Sequence, residues 1–200
     1  MARTSRCPER FPGVHGRCAV LLVLVSVAAR DAAAQRIAPF ADLGGTSCAI
    51  SAPQFVPTPV YILAMPGPFP GLIEARFRVS GLPAALYTTS VASNPAALVS
   101  GDPLGDGCNL YFDTCQAAPV HLYTITLTNQ GDTIGDRILR VETHLAATQR
   151  TLQCPLQVVC DPPSFTIVCA TGGTASLNGR DGCELAVDRT TWSRIKTLYD

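Results

Sequence analysis

The chain has 200 residues, and its 15 basic and 15 acidic side chains give a formal net charge of zero. Charged residues make up 15% of it, against about 25% in typical soluble domains. Its only lysine is Lys196, and its arginines are scattered. Nucleic-acid binding needs clustered cations to neutralise phosphates, so this composition argues against a nucleic-acid partner. The 47% of hydrophobic residues is enough to form a packed core.

The first residues predict export. Four arginines precede an uncharged apolar run, Cys18–Ala29, which is followed by Ala32–Ala34. A charged start, an apolar run and small residues at its end are the parts of a secretory signal peptide, so we assign residues 1–34 to one. The apolar run is shorter than the roughly 20 residues that span a bilayer. We therefore expect cleavage after Ala34, no membrane anchor after cleavage, and a secreted, cell-surface or periplasmic location.

The first half of the mature chain predicts β-strands. A short strand and an irregular segment occupy Ile37–Phe55, and Val60–Met65 is a continuous apolar run between prolines, typical of a buried strand. From Ile73 to Val79, apolar and polar residues alternate. Such alternation indicates a strand with one packed face and one solvated face.

The second half continues the pattern, with seven to nine strand candidates in all. The further candidates are Ala96–Ser100, Val120–Thr128, Ile138–Thr143, Val158–Val159 and Phe165–Val168, separated by turn-forming residues. Gly101–Gly107 is dense in turn formers, so we expect a loop there. Many short strands without helical periodicity predict a mostly β protein, an antiparallel β-sandwich over residues 35–188.

The C-terminal residues 189–200 differ from the rest. Trp192, Ile195, Leu198 and Tyr199 recur at helical spacing, which predicts a short C-terminal helix or tail. Its apolar side either packs on the sandwich or serves as a docking or sorting tail.

Cysteines in an exported chain predict disulfides. Seven follow the expected cleavage site: Cys48, Cys108, Cys115, Cys154, Cys160, Cys169 and Cys183. The turn formers between Cys169 and Cys183 favour that pair, and a turn at Asp113-Thr114 would allow Cys108 to bond Cys115. Cys154 and Cys160 enclose a strand-like stretch, so each is expected to bond to another segment. Cys48 is either free or a staple for the N-terminal segment, and the spacings do not match zinc sites.

Several segments carry a resemblance. Gly44–Cys48, the strand Ile73–Val79, Gly107–Leu110 and Trp192–Tyr199 resemble a group of secreted bacterial proteins with no assigned activity. The strand pattern is also similar to cohesin-like and immunoglobulin-like sandwiches. That similarity implies a module for extracellular binding, although fold likeness does not establish function.

Sequence signals for chemistry are weak, and we assign no catalytic, cofactor-binding or metal-binding residue. Common hydrolase, metalloprotease and nucleotide-binding motifs are absent from the sequence. Glu142 and His144 would share a strand face, but a solvated cross-strand pair explains them better. Asp102, Asp106 and Asp113 could gather oxygen ligands for calcium, but acidic residues are also ordinary turn formers.

The sequence therefore favours a secreted, disulfide-stabilised, non-enzymatic β-sandwich module for extracellular binding or cell-surface structure. Its expected partner is an extracellular protein or a carbohydrate. Exposed aromatic rings would favour a carbohydrate, but most of the aromatic residues lie in strand-like runs where core packing explains them. The alternative is a small secreted hydrolase, for example one acting on carbohydrate.

The signal-peptide assignment makes a prediction about the exported protein. Intact mass spectrometry of that protein should give a chain that begins at Gln35, because the small residues that signal peptidase requires end at Ala34. A chain that keeps its first 34 residues after export would contradict the assignment.

Overall fold

The structure is a computed structural model, and it describes residues 34–82, 87–130, 137–145 and 153–179. These residues form strands and turns, without a helix. The strands are β1 Arg36–Phe40, β2 Ala49–Ile50, β3 Pro57–Met65, β4 Leu72–Ser80, β5 Tyr87–Ser93, β6 Ala97–Asp102, β7 Gly107–Gln116, β8 Val120–Asn129, β9 Arg137–Glu142, β10 Leu156–Asp161, β11 Ser164–Cys169, β12 Thr171–Gly172 and β13 Thr174–Leu177.

The strands form two sheets. The smaller sheet has five strands in the order β12-β1-β3-β8-β5. The larger has eight: β11, β10, β4, β9, β13 and β2 follow one another, while β7 pairs with β4 and β6 pairs with β7. Within it, β10 and β9 pair with successive halves of β4. Strand β4 is thus the element that joins the parts of the larger sheet.

The prediction of a mostly β fold is confirmed, but the prediction of a purely antiparallel sandwich is wrong. Strand β12 runs parallel to β1, and β13 runs parallel to β2. In both cases one of the last two described strands pairs with one of the first two, and this pair forms an edge of its sheet. Hydrophobic alternation sets which face of a strand is buried but carries no information about the direction of its neighbour, so the sequence could not show this.

The core lies between the two sheets and follows the alternation of their strands. On β4, Ala75 and Phe77 are fully buried while Arg76 between them is exposed. The Phe77 ring meets the Tyr123 ring of β8 edge to face, with centroids 6.2 Å apart. This contact joins the larger sheet to the smaller one, since β8 belongs to the latter. The run Val60–Met65 lies in β3, where its residues are mostly buried as expected.

The disulfides differ from the expected pairing. Cys115 bonds to Cys160, with a Cα–Cα distance of 6.3 Å, and Cys154 bonds to Cys169, with a Cα–Cα distance of 5.7 Å. As expected, Cys154 and Cys160 bond to other segments. Cys48 is also disulfide-bonded.

The favoured pair Cys169–Cys183 and the possible pair Cys108–Cys115 are therefore both wrong. Cys169 is taken by Cys154, and Cys183 lies outside the described residues. Cys108 is a free, buried thiol. Both Cys108 and Cys115 lie on the continuous strand β7, where a turn was expected. Seven residues of strand span roughly 23 Å, whereas bridged Cα atoms lie within about 7 Å.

Gly71 lies against the Cys115–Cys160 disulfide. Its carbonyl accepts a hydrogen bond of 2.9 Å from the Cys160 N–H. A Cβ added at Gly71 would lie 2.3 Å from the Gln116 carbonyl oxygen and 2.7 Å from the Cys115 Sγ. Backbone on one side and a disulfide on the other leave no room for a side chain.

The signal peptide, apart from Ala34, and the expected C-terminal helix at 189–200 lie outside the described residues. Within the described ranges, no helix is long and apolar enough to cross a membrane.

Gly71→Ala should destabilise the fold. The added methyl group must displace the β7 backbone or the disulfide, and such overpacking costs about 1–3 kcal/mol. Each kcal/mol lowers Tm by about 2–4 °C in a domain of this size, so a thermal unfolding curve should show the loss. Gly105→Ala is the matched control, because its Cβ would meet only the Asp102 side chain, at 3.3 Å or more. Equal Tm values for the two variants would contradict the packing argument.

Candidate functional site

The outward side of the larger sheet carries a row of side chains in register across five strands. Leu98 on β6 pairs with Tyr111 on β7, which pairs with Glu74 on β4. Glu74 pairs with Val158 on β10, which pairs with Ile167 on β11. Directly opposed residues of antiparallel strands project to the same face. With strands about 4.8 Å apart, the row spans roughly 19 Å.

Most of the apolar side chains in this row are exposed to solvent. Leu98 is 68% exposed, Tyr111 43% and Ile167 57%. Phe165 lies two residues before Ile167 on β11, so it projects to the same face, and it is 61% exposed. We call Leu98, Tyr111, Val158, Phe165 and Ile167 the apolar face.

An ion pair lies in the middle of the apolar face. Arg76 Nε donates to Glu74 Oε1 at 2.6 Å, and both residues project outward from β4. An exposed pair of this kind adds at most about 1 kcal/mol to stability. It does place one positive and one negative group among apolar side chains, where they can orient an approaching surface.

The part of the face that β10 and β11 contribute is held rigidly. These strands form a hairpin whose two-residue turn is Pro162-Pro163, with Asp161 paired to Ser164. Cys154–Cys169 closes the open end of the hairpin, and Cys115–Cys160 ties its turn end to β7. A surface that is already ordered loses little entropy on binding.

Sequence reasoning missed this face for identifiable reasons. Strand β7 was not predicted, because turn formers precede it and cysteines suggested a bend, so Tyr111 could not be placed. Phe165 and Ile167 were expected on a strand, but Val168 beside them is also apolar, and the pattern does not show which side is exposed. Of the other aromatic residues, Tyr123 is buried as expected. The side chains of Tyr87, Trp192 and Tyr199 lie outside the described part of the structure.

Of the acidic residues considered for calcium, Asp102 has an ordinary structural role. Asp102 Oδ1 accepts the Leu104 N–H at 2.9 Å, and its carbonyl accepts the Gly105 N–H at 3.1 Å, which together form a turn. Asp113 lies on β7. Among the residues that the structure describes, no three His, Cys, Asp or Glu side chains lie close enough together to hold a metal ion.

Glu142 and His144, the pair weighed for hydrolysis, each contact a neighbouring strand. Arg78 Nη2 donates to Glu142 Oε2, and the two residues are cross-strand partners on β4 and β9. The His144 ring lies against Gly107, where an added Cβ would be 2.7 Å from its Cγ. The Glu142 carboxylate is thus paired with a guanidinium.

Among the cysteines that the structure describes, Cys108 has a free thiol, and its burial makes that thiol unreactive. Cys108 is fully buried beside Tyr123, and burial raises the pKa of its thiol to about 12. Burial also raises the pKa of the Tyr123 phenol. Nucleophilic cysteines are thiolates in partly exposed, electropositive surroundings. Cys108 therefore serves as a small core residue.

Comparison with known proteins finds similar structures but no similar sequence. No protein-family model matches the sequence, and no curated protein matches it. One similar solved structure is the seventh ScaB type I cohesin from Pseudobacteroides cellulosolvens, with 13% identity, a TM-score of 0.48, and coverage of 74% of this chain and 94% of that one. Another is the sixth cohesin of scaffoldin B from Acetivibrio cellulolyticus, solved with a mutant Cel5 dockerin. It has 11% identity, a TM-score of 0.48, and coverage of 72% of this chain and 98% of that one. At identities this low, the function of those cohesins cannot be assigned to this chain.

The environment of Cys108 predicts its reactivity. Burial raises the pKa of the Cys108 thiol to about 12, so the thiol stays protonated at pH 8, and it also keeps reagents away from the sulfur. Iodoacetamide at pH 8 should therefore leave Cys108 unmodified in the native protein and alkylate it in guanidinium chloride, as measured by peptide mapping. The Cys108→Val variant confirms the assignment if the modified peptide disappears. Rapid alkylation of the native protein would contradict a buried thiol.

Proposed function

We propose that this protein is a non-enzymatic binding module that works outside the cytoplasm and binds another extracellular protein through the apolar face. The observation that carries the proposal is that Leu98, Tyr111, Phe165 and Ile167 are exposed on one face of the larger sheet, on either side of the Glu74–Arg76 ion pair. Monomeric proteins rarely leave contiguous apolar surface exposed unless it meets a partner.

The composition of the face favours a protein over a carbohydrate. Leu98, Val158 and Ile167 are aliphatic and offer a sugar hydroxyl no hydrogen bond. A protein interface, in contrast, combines an apolar centre with aromatic anchors and a few charges. Tyr111 is the anchor of this face, because tyrosine is enriched among the residues that dominate binding energy. Glu74 and Arg76 beside it would select a partner with complementary charges.

The disulfides support a location outside the cytoplasm. Cys115–Cys160 and Cys154–Cys169 join segments 45 and 15 residues apart in sequence. Such bonds persist in oxidising compartments and are rare in the cytosol. The signal peptide expected over residues 1–34 predicts the same location.

The binding role is also supported by how the reactive side chains are used. Glu142 is paired with Arg78, and the Cys108 thiol is buried and protonated. Nothing in the described structure favours the hydrolase alternative over the binding role.

Truncating the face should abolish partner binding without unfolding the module. The mature protein is immobilised and exposed to the extracytoplasmic proteins of the producing cell, and the retained protein is then identified and titrated by biolayer interferometry. We expect Tyr111→Ser to weaken this complex at least tenfold, which corresponds to about 1.4 kcal/mol, because the ring supplies apolar contact next to the central ion pair. Adding Leu98→Ser to Tyr111→Ser should weaken the complex further.

The matched control is Val91→Ser on β5 of the other sheet, where Val91 is also exposed. It should bind as the wild type does. The proposal fails if the retained protein binds Tyr111→Ser and the wild type equally. It also fails if the face binds a polysaccharide, and no protein, with the same loss on substitution.

A further inference from the structure

We propose that strand β11 joins two copies of this chain, pairing antiparallel with β11 of the second copy about a two-fold axis at Thr166. The larger sheet would then continue from one molecule into the other, and the two apolar faces would form one surface. The inference rests on the open edge of β11 and holds whether or not the apolar face binds a further protein.

The backbone of β11 has a defined open edge. In the described structure β11 is the end of its sheet and pairs only with β10. The Cys160 N–H donates to the Gly71 carbonyl, away from β11, so Cys160 and its partner Phe165 form a pair without hydrogen bonds. At the other end, the Ala170 N–H donates to the Pro155 carbonyl, on the β10 side. By the alternation of an antiparallel ladder, Phe165 and Ile167 therefore turn their N–H and C=O groups to the open edge.

This edge lacks the usual protection against pairing. Proteins block exposed edges with charged residues, prolines or bulges. Strand β11, Ser164–Cys169, contains neither a charged residue nor a proline, and its pairing with β10 continues without a register shift. Its Phe165 and Ile167 side chains are exposed to solvent. A strand with these properties is a template for another strand.

The sequence of β11 is its own complement. With the axis at Thr166, Phe165 lies opposite Ile167 of the second copy, and Ile167 lies opposite Phe165 of the second copy. All four residues have their backbone groups turned toward the partner, so they form hydrogen-bonded pairs. Their side chains project to the same face, where aromatic and β-branched residues stabilise each other across strands. Thr166 meets Thr166 of the second copy on the axis. Moving the axis to lie between two residues would oppose outward and inward backbone groups, so that register is excluded.

A second copy fits this edge better than a foreign strand. The strand carries no charge that a different partner would have to match or that would repel its own copy. The disulfides at both ends of the hairpin keep the edge extended before pairing. Since one strand pair buries less area than a permanent interface, we expect a dimer that dissociates in the micromolar range.

Sedimentation velocity over a concentration series tests the proposal. Wild-type protein should show a reversible monomer–dimer equilibrium. Ile167→Pro removes a backbone N–H that faces the open edge and is not used by β10, and prolines are tolerated at such edge positions. Circular dichroism should show that this variant keeps its fold. The dissociation constant of its dimer should be at least ten times that of the wild type.

Further variants separate backbone pairing from general apolar contact. Ile167→Thr keeps the N–H and should weaken the dimer less than Ile167→Pro. Val91→Thr, an equivalent change on edge strand β5 of the other sheet, should leave the dimer unchanged. If Ile167→Pro fails to fold, Phe165→Lys with Ile167→Lys takes its place, because opposed cations must block the pairing while leaving the β10 bonds intact.

Three results would overturn the proposal: a wild-type chain that stays monomeric at all concentrations, a dimer that survives Ile167→Pro, or a dimer that Tyr111→Ser dissociates as strongly. The last result would place the contact on the apolar face rather than on the edge. Partner binding by monomeric Ile167→Pro would show that the proposed function holds even where the dimer does not form.

Discussion

The whole arrangement depends on strand β4. Its inward residues Ala75 and Phe77 are fully buried, and Phe77 contacts Tyr123 of the opposite sheet. Its outward residues Glu74 and Arg76 form the ion pair at the centre of the apolar face. Because β10, β7 and β9 all pair with it, β4 also fixes the register in which their side chains meet. One alternating strand thus determines the core on one side and the candidate binding surface on the other.

The two disulfides of hairpin β10–β11 stabilise the edge of the sheet, where few core contacts are available. Hairpin β10–β11 has one strand next to β4 and one strand open, and an edge hairpin opens more easily than a central strand. Cys154–Cys169 holds its strands together, and Cys115–Cys160 ties it to β7 across Gly71. The absence of a side chain at Gly71 is what allows the second bond to cross. The exposed Phe165 and Ile167 are therefore presented on a rigid support.

The sequence predicted the strands whose alternation is strong and missed the features that depend on distant partners. Ile73–Val79 and Val120–Thr128 were found because burial of one face imposes a period of two, and they lie in β4 and β8. Strand β7 was missed because its cysteines suggested a local bend, although Cys115 bonds to Cys160, 45 residues away. The parallel pairs β1–β12 and β2–β13 were missed because local pattern carries no information about the direction of a neighbouring strand. The apolar face could not be predicted at all, because it exists only in the register that joins five strands.

The apolar face and the open edge have opposite effects on the isolated molecule. The side chains of Leu98, Tyr111 and Ile167 leave much of their apolar surface in water, so they add little to the stability of the fold. An unprotected edge favours association with other strands. A sequence under selection for solubility alone would replace Phe165 and Ile167 with polar or charged residues at little cost, since neither side chain is in the core. Their presence on a hairpin that two disulfides keep rigid is the arrangement expected where association itself is the function. In the proposed complex, Tyr111 would supply binding energy, and Glu74 and Arg76 would supply specificity, because apolar contact stabilises a complex without selecting the partner.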